Sequence, residues 1–315
     1  MTFHKLLTGL IVIVCAFGSS VSSVSAQDAF ETFKQLDGST KMPKLQAFSP
    51  NLAPLTPTIS GRNVRLEAKL NGTNEPMQHG LSWRVFSQIP GPDGKLPLLA
   101  SAEGGTADFQ LLPGEYFVNV SFGRAGATKR LSVPKEGEIS NQVMVLDAGG
   151  LVLNASSGSD TQISSQKLLF DIYSNEVQAD GERGLIIADV QPNTIIRLNA
   201  GTYHVVSEYG SINAVVRADI RVESGKLTEA TIQHRAAQVG LKLVSEVGGE
   251  AIADTAWSIL TSGGDVVAES VSAFPIMVLA EGSYTAIARN KDKIYQKDFE
   301  VVAGVNDNVE VPLTQ

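Results

Sequence analysis

A six-residue phrase recurs three times along this chain: Leu111-Leu112-Pro113-Gly114-Glu115-Tyr116, Leu198-Asn199-Ala200-Gly201-Thr202-Tyr203 and Leu279-Ala280-Glu281-Gly282-Ser283-Tyr284. The shared pattern is Leu-x-x-Gly-x-Tyr, and recurrence at this spacing marks tandem copies of one small domain. Other features keep the same step. Trp83 stands 87 residues before Phe170, which stands 87 before Trp257. Asp93-Gly94, Leu66 and Phe122-Gly123 recur at that offset as Asp180-Gly181, Leu153 and Tyr209-Gly210. The third copy is six residues shorter between its Trp and its Leu-x-x-Gly-x-Tyr. Three equivalent domains are therefore expected at residues 59–147, 148–237 and 238–315.

Inside each copy the apolar residues alternate. Val64, Leu66, Ala68 and Leu70 interleave with Arg65, Glu67 and Lys69. Tyr116, Val118, Val120 and Phe122 share one parity, and Asn119 and Ser121 take the other. A period of two is that of a half-buried strand. Turn signals come about every ten residues, so the spacing predicts seven short strands per copy and an all-β chain. The architecture expected is three tandem seven-stranded Greek-key β-sandwiches in a short rod. In the repeated phrase Leu111, Leu198 and Leu279 should fill the core. Gly114, Gly201 and Gly282 should supply a turn that a Cβ resists. Tyr116, Tyr203 and Tyr284 should bury their rings and bond backbone across the corner. Boundaries are abrupt: Asp147-Ala148-Gly149-Gly150 and Ala236-Ala237-Gln238 are the expected passages between copies.

Ahead of the repeats, residues 1–26 read as a signal peptide. Lys5 precedes the apolar run Leu6 to Phe17, and Val24-Ser25-Ala26 sets small residues before a cut at Gln27. That run is too short to span a bilayer, so no integral membrane segment is expected after cleavage. Cleavage removes Cys15, the single cysteine, and leaves domains that must fold without disulfides. Residues 27–58 hold an apolar triplet at helical spacing, Phe30, Phe33 and Leu36, and then a linker punctuated by Pro43, Pro50, Pro54 and Pro57. The chain carries 25 basic and 33 acidic residues, net −8, which argues against nucleic acid or anionic lipid as the main partner.

Chemistry is harder to find. Beyond the leader there are three histidines: His79 in a polar loop, His204 expected to face out beside Tyr203, and His234 expected to face in with Ile232. Their side chains diverge, so no metal site is expected. No acidic calcium loop, phosphate-binding glycine loop, Gly-x-Ser-x-Gly elbow or cysteine nucleophile is present. The expectation is a non-enzymatic chain with no catalytic residue, cofactor or metal. Phe117, on the outward parity beside Tyr116, is the candidate interface residue. Tyr295 and Phe299 are further candidates for an exposed aromatic surface.

The repeated corner, the preceding Phe109-Gln110-Leu111 and the hairpins Val222-Glu223-Ser224-Gly225 and Val301-Val302-Ala303-Gly304 resemble transthyretin-like sandwiches. That group includes the carboxypeptidase regulatory-like and Cna-B-like domains of bacterial exported proteins. The resemblance covers residues 59–315 and implies accessory, stalk or binding modules. A hydroxyisourate hydrolase of this fold would need a Tyr-Arg-Gly-Ser-type end, and the chain ends Val311-Pro312-Leu313-Thr314-Gln315. A Cna-B-like Lys–Asn crosslink would pair Lys69 with Asn141 or Lys242 with Asn308, although Asn154 replaces the lysine in copy two. The function expected is that of an exported, periplasmic structural or adaptor protein that binds another envelope protein. The alternative is a module that binds carbohydrate or cell-wall glycan.

Overall fold

The computed structural model describes residues 61–73, 75–159 and 161–313. The signal peptide, the Phe30–Leu36 triplet and the proline-rich linker expected from the sequence lie outside the described residues. What is described is β structure almost throughout, as alternation at period two requires. Among the described residues the helical exception is a single 3₁₀ turn, Ser165–Lys167.

The first seven strands are β1 (Arg62–Lys69), β2 (Leu81–Ser87), β3 (Leu98–Gly104), β4 (Ala107–Leu111), β5 (Gly114–Phe122), β6 (Ala125–Val133) and β7 (Gln142–Val145). They form two sheets, ordered β4-β1-β7 and β3-β2-β5-β6. β1 pairs antiparallel with β4 and parallel with β7, so the first and last strands of the copy lie side by side.

The second set is β8 (Ala148–Ser157), β9 (Thr161–Gln162), β10 (Leu168–Val177), β11 (Arg183–Val190), β12 (Ile196–Asn199), β13 (Gly201–Tyr209), β14 (Val215–Val222) and β15 (Leu227–His234). Its sheets repeat the order as β12-β8-β15 and β11-β10-β13-β14, with β9 paired to the end of β8. This copy therefore has eight strands where seven were expected. The two-residue β9 is a short return of the loop onto β8 through Ser156 and Ser157.

The third set is β16 (Ala236–Val244), β17 (Thr255–Thr261), β18 (Val266–Val271), β19 (Ile276–Ala280), β20 (Gly282–Asn290), β21 (Lys293–Val301) and β22 (Asp307–Pro312). It gives sheets β19-β16-β22 and β18-β17-β20-β21. Three tandem β-sandwiches with one topology result. The expected passage through Ala236-Ala237-Gln238 is strand from its first residue, and Ala236 and Ala237 are buried. Only Arg235 separates β15 from β16.

Each core lies between its two sheets. Trp83, Phe170 and Trp257 are at most 1% exposed and occupy the same place in the three copies. Each tryptophan satisfies its one donor: Trp83 Nε1 bonds the Gly105 carbonyl at 2.7 Å and Trp257 Nε1 the Ser272 carbonyl at 2.9 Å. A buried indole N–H without a partner would cost the desolvation of that group. Phe170 has no donor to satisfy. The Asp-Gly turns match as well. Gly94 and Gly181 take φ of 74° and 87°, and Asp93 and Asp180 each accept from the backbone N–H two residues on. Residues 91–95 form a tight turn. That turn is closed by Gly91 N–H to the Lys95 carbonyl at 2.8 Å.

Candidate functional site

The three Leu-x-x-Gly-x-Tyr corners are built alike. Leu111, Leu198 and Leu279 are buried at the ends of β4, β12 and β19. Each tyrosine donates to the carbonyl four residues back: Tyr116 to Leu112 at 2.7 Å, Tyr203 to Asn199 at 2.8 Å and Tyr284 to Ala280 at 2.9 Å. Burial raises the phenol pKa of Tyr116 and of Tyr203, which keeps the hydroxyl a donor. The glycine differs from the expected tight turn. Gly201 and Gly282 lie at φ 159° and 154°, at the border of extended backbone, and Gly114 is not among the positive-φ residues. These glycines open the next strand; the chain reverses just before them.

The joints between copies repeat too. Between copies one and two, the β5–β6 hairpin tip meets the second corner. Gly123 sits there at φ 64°, and a Cβ on it would lie 2.9 Å from the Cβ of Arg197. Arg124 N–H donates to the Arg197 carbonyl at 3.0 Å, and the Arg197 guanidinium lies 4.6 Å from the Phe122 ring centre. Asn199 bridges: its Oδ1 accepts from Gly126 N–H at 3.1 Å, and its Nδ2 donates to the carbonyls of Gly126 and Leu146. Between copies two and three, the β13–β14 hairpin meets the third corner. Gly210 takes φ 73°, and a Cβ on it would lie 2.7 Å from the Cβ of Val278. Asn213 Oδ1 accepts from Ala280 N–H at 2.9 Å, and its Nδ2 donates to Tyr284 Oη at 2.9 Å. Val278 packs into the core of copy two, and Ile212 packs against the core of copy three. The sequence shows Phe122-Gly123 and Tyr209-Gly210 as repeated features but carries no signal that places them at joints.

The histidines do not converge. His79 is exposed. His204 lies on the outer side of β13, opposite Asp219 of β14, with Nδ1 2.7 Å from Asp219 Oδ1. His234 is 1% exposed, facing inward as expected. Its Nε2 shares a 2.7 Å hydrogen bond with Ser207 Oγ, its ring stands edge-on to Tyr209 at 5.9 Å, and Nδ1 has no partner. Burial pushes its pKa down from 6.5 to about 4. The Ser207–His234 pair has the spacing of a nucleophile and its base. Ser207 is wholly buried, however, and no third group orients the imidazole, so the pair as placed serves packing. Among the described residues no three His, Cys, Asp or Glu side chains gather as metal ligands.

Phe117 is half-buried on the outer face of β5, between Phe86 of β2 and Arg130 of β6. Arg130 Nε is 2.9 Å from Glu115 Oε2. Bonds from Ser132 and then Arg130 hold the Glu115 carboxyl below its usual range. The other two aromatic candidates are not free surface. Phe299 stacks on Tyr284 at 5.8 Å, and both Phe299 and Tyr295 pack against the third core. Asn119, on the outward parity, is also buried. Its amide donates to Thr128 Oγ1 at 3.0 Å, which offsets the cost of that burial. The Lys–Asn pairings do not form. Register places Lys69 opposite Val145 and Lys242 opposite Glu310, whose Oε1 lies 2.8 Å from Lys242 Nζ.

Residues 238–313 match the family model of the Rhizobiales growth-associated tandem repeat domain. A search of curated proteins finds no match. Among solved structures, the chain is similar to the TIE protein of Bacillus anthracis at 15% identity and a TM-score of 0.23, over 80% of this chain and 50% of that one. It is similar to a streptococcal ancillary pilin at 12% identity and a TM-score of 0.26, over 79% and 98%. It is also similar to the major pilin subunit of Bacillus cereus at 12% and 0.22, over 80% and 99%. The chain thus spans half the length of the first of these relatives.

Proposed function

We propose that this chain is an exported structural or adaptor protein of the cell envelope, working in the periplasm and binding another envelope protein through its assembled repeats. Three modules divided near residues 147 and 237 carry that role, and no reaction is assigned to it. The observation that supports this most is the repeated joint. The same hairpin tip meets the same corner twice, held by Asn199 in one joint and by Asn213 in the other. Interactions so placed fix one repeat on the next. They set the reach of a surface, whereas an enzyme concentrates its polar groups in one cleft.

Complementation of a deletion strain tests this reading. His79→Ala and His204→Ala should leave function intact, because those side chains stand apart from each other and from the joints. Removing one whole repeat should abolish function, because it changes both reach and surface. His234→Ala is not a fair test, since the ring is buried. Full loss of function from His79→Ala in a folded protein would reverse the reading in favour of a catalytic or metal role.

A second reading rests on Phe86 and Phe117, two neighbouring aromatic rings on one outer sheet face. Such a pair suits stacking against a sugar ring. Binding of cell-wall glycan fragments that is lost in Phe117→Ala would favour it over the adaptor.

A further inference from the structure

Each sandwich has one such corner and one such hairpin tip, and among the described residues two of each meet in joints. The corner of copy one and the hairpin of copy three are left over. They are not equivalent to the used pair. The third hairpin runs Asn290-Lys291-Asp292-Lys293, and Lys291 stands where Gly123 and Gly210 stand, at φ 53°. At both joints a Cβ at this position would come within 3.0 Å of the Cβ on the facing corner, Arg197 in one case and Val278 in the other. Real Cβ atoms do not approach so closely, so Lys291 cannot enter a corner in the geometry the joints use. It and its neighbours Asp292 and Lys293 are exposed.

The unused corner has the opposite character. In copy one the residue equivalent to Asn199 and Ala280 is Leu112, and this leucine is 53% exposed. In the other copies the next residue donates its N–H to the chain that leads into the repeat: Ala200 to Asp147 and Glu281 to Arg235. Pro113 holds that position in copy one and has no N–H to give. The corner of copy one therefore lacks that bond and presents Leu112.

We propose that the corner of copy one, centred on Leu112, is a seat for the glycine-tipped hairpin of a β-sandwich module on a second protein. Lys291 keeps the chain's own last hairpin out of that seat. The occupant is identified by continuity with a joint used twice in this chain: a β-hairpin with glycine at its left-handed tip position. This rests on the adaptor reading and names the class of partner for it.

The test lets the chain act as its own probe. Lys291→Gly with Asp292→Arg gives the last hairpin of the full chain the Gly-Arg pair of the copy-one tip, in a loop of the same length. Glycine also suits the positive φ there, so the fold is retained. Sedimentation equilibrium should show wild type as one species up to about 1 mM. The double variant should gain mass with concentration, roughly doubling or more, because a head-to-tail contact does not close on itself. Adding Leu112→Glu, at an exposed position, should return the variant to the wild-type mass. A double variant that stays monomeric overturns the proposal, whatever then covers Leu112. Association that survives Leu112→Glu overturns it as well, by placing the contact elsewhere. Neither outcome bears on the complementation test, so the two readings fail separately.

Discussion

His234 should make the second repeat the acid-sensitive part of this protein. The folded ring is buried and neutral, with a pKa of about 4 against an ordinary 6.5. In the unfolded chain the ring charges through pH 6.5, so between pH 6.5 and 4 the unfolded state binds more protons than the folded one. Stability must then fall as pH falls through that window, and the effect levels off below about pH 4. The contribution is fully present above pH 6.5. Each unit of pKa difference corresponds to about 1.4 kcal/mol. Integrated from pH 7, the loss reaches about 1 kcal/mol by pH 5.5 and about 3 kcal/mol by pH 4.

The arrangement of the aromatic residues makes this measurable in the intact chain. The two tryptophans, Trp83 and Trp257, belong to copies one and three, and copy two has Phe170 in that place. Tryptophan fluorescence therefore follows the outer repeats, and hydrogen exchange at β10, β13 and β15 follows the middle one. Wild type taken from pH 7 to pH 4.5 in moderate urea should lose exchange protection in copy two before fluorescence changes. His234→Gln keeps a polar group beside Ser207 but cannot take up this proton. Its copy-two protection should fall more shallowly with pH, even if it starts lower. Carboxylates held low by their partners, such as Glu310 beside Lys242, titrate in both proteins and cancel in the comparison. Equal pH slopes in the two proteins would refute the reasoning, because the difference is carried by one imidazole.

Tyr203→Phe should destabilise copy two by about 1 kcal/mol through loss of the hydroxyl bond to the Asn199 carbonyl, measured as faster exchange in β13. Gly210→Ala should cost at least about 1 kcal/mol, since it puts a Cβ at positive φ and against Val278. Its signature is faster exchange at residues 209–214 and 278–280 with β17 unchanged, and Val278→Ala in the same chain should recover part of the loss.

The sequence makes the cores legible for a physical reason. Burial in a sandwich follows the period of two, and the largest residues, Trp83, Phe170 and Trp257, keep their spacing because a close-packed interior tolerates little change in volume. The tyrosine corner is legible because its bond runs only four residues back. Parity fails where a polar residue is buried among partners from other strands. Asn119 reads as solvent-facing and is covered because Thr128, across the hairpin, satisfies it. The inward parity of His234 can be read, but its partner Ser207 comes from the opposite sheet, 27 residues away. Strand β9 leaves no trace in a two-residue segment. The glycine of the repeated phrase misleads because glycine suits both a turn and a strand start.

The joints show what tandem duplication preserves. Position 126 of copy one corresponds to 213 of copy two, and position 199 corresponds to 280 of copy three. At the first joint the asparagine stands on the corner, as Asn199, and reaches the backbone of Gly126 on the hairpin. At the second it stands on the hairpin, as Asn213, and reaches the backbone of Ala280 on the corner. In each case the other member of the pair is small, glycine or alanine, and leaves room for the amide. An asparagine side chain carries both a donor and an acceptor, so it can satisfy backbone groups from either side of one gap. Placing it on both sides at once would crowd the gap, and placing it on neither would leave the part-buried N–H without this partner. The constraint falls on the pair, and a comparison of copies position by position sees two unrelated changes. In copy one the corner position is Leu112, which has neither donor nor acceptor in its side chain. A hairpin that occupies this corner must then bring the polar group itself, as Asn213 does, or seal the gap with apolar surface.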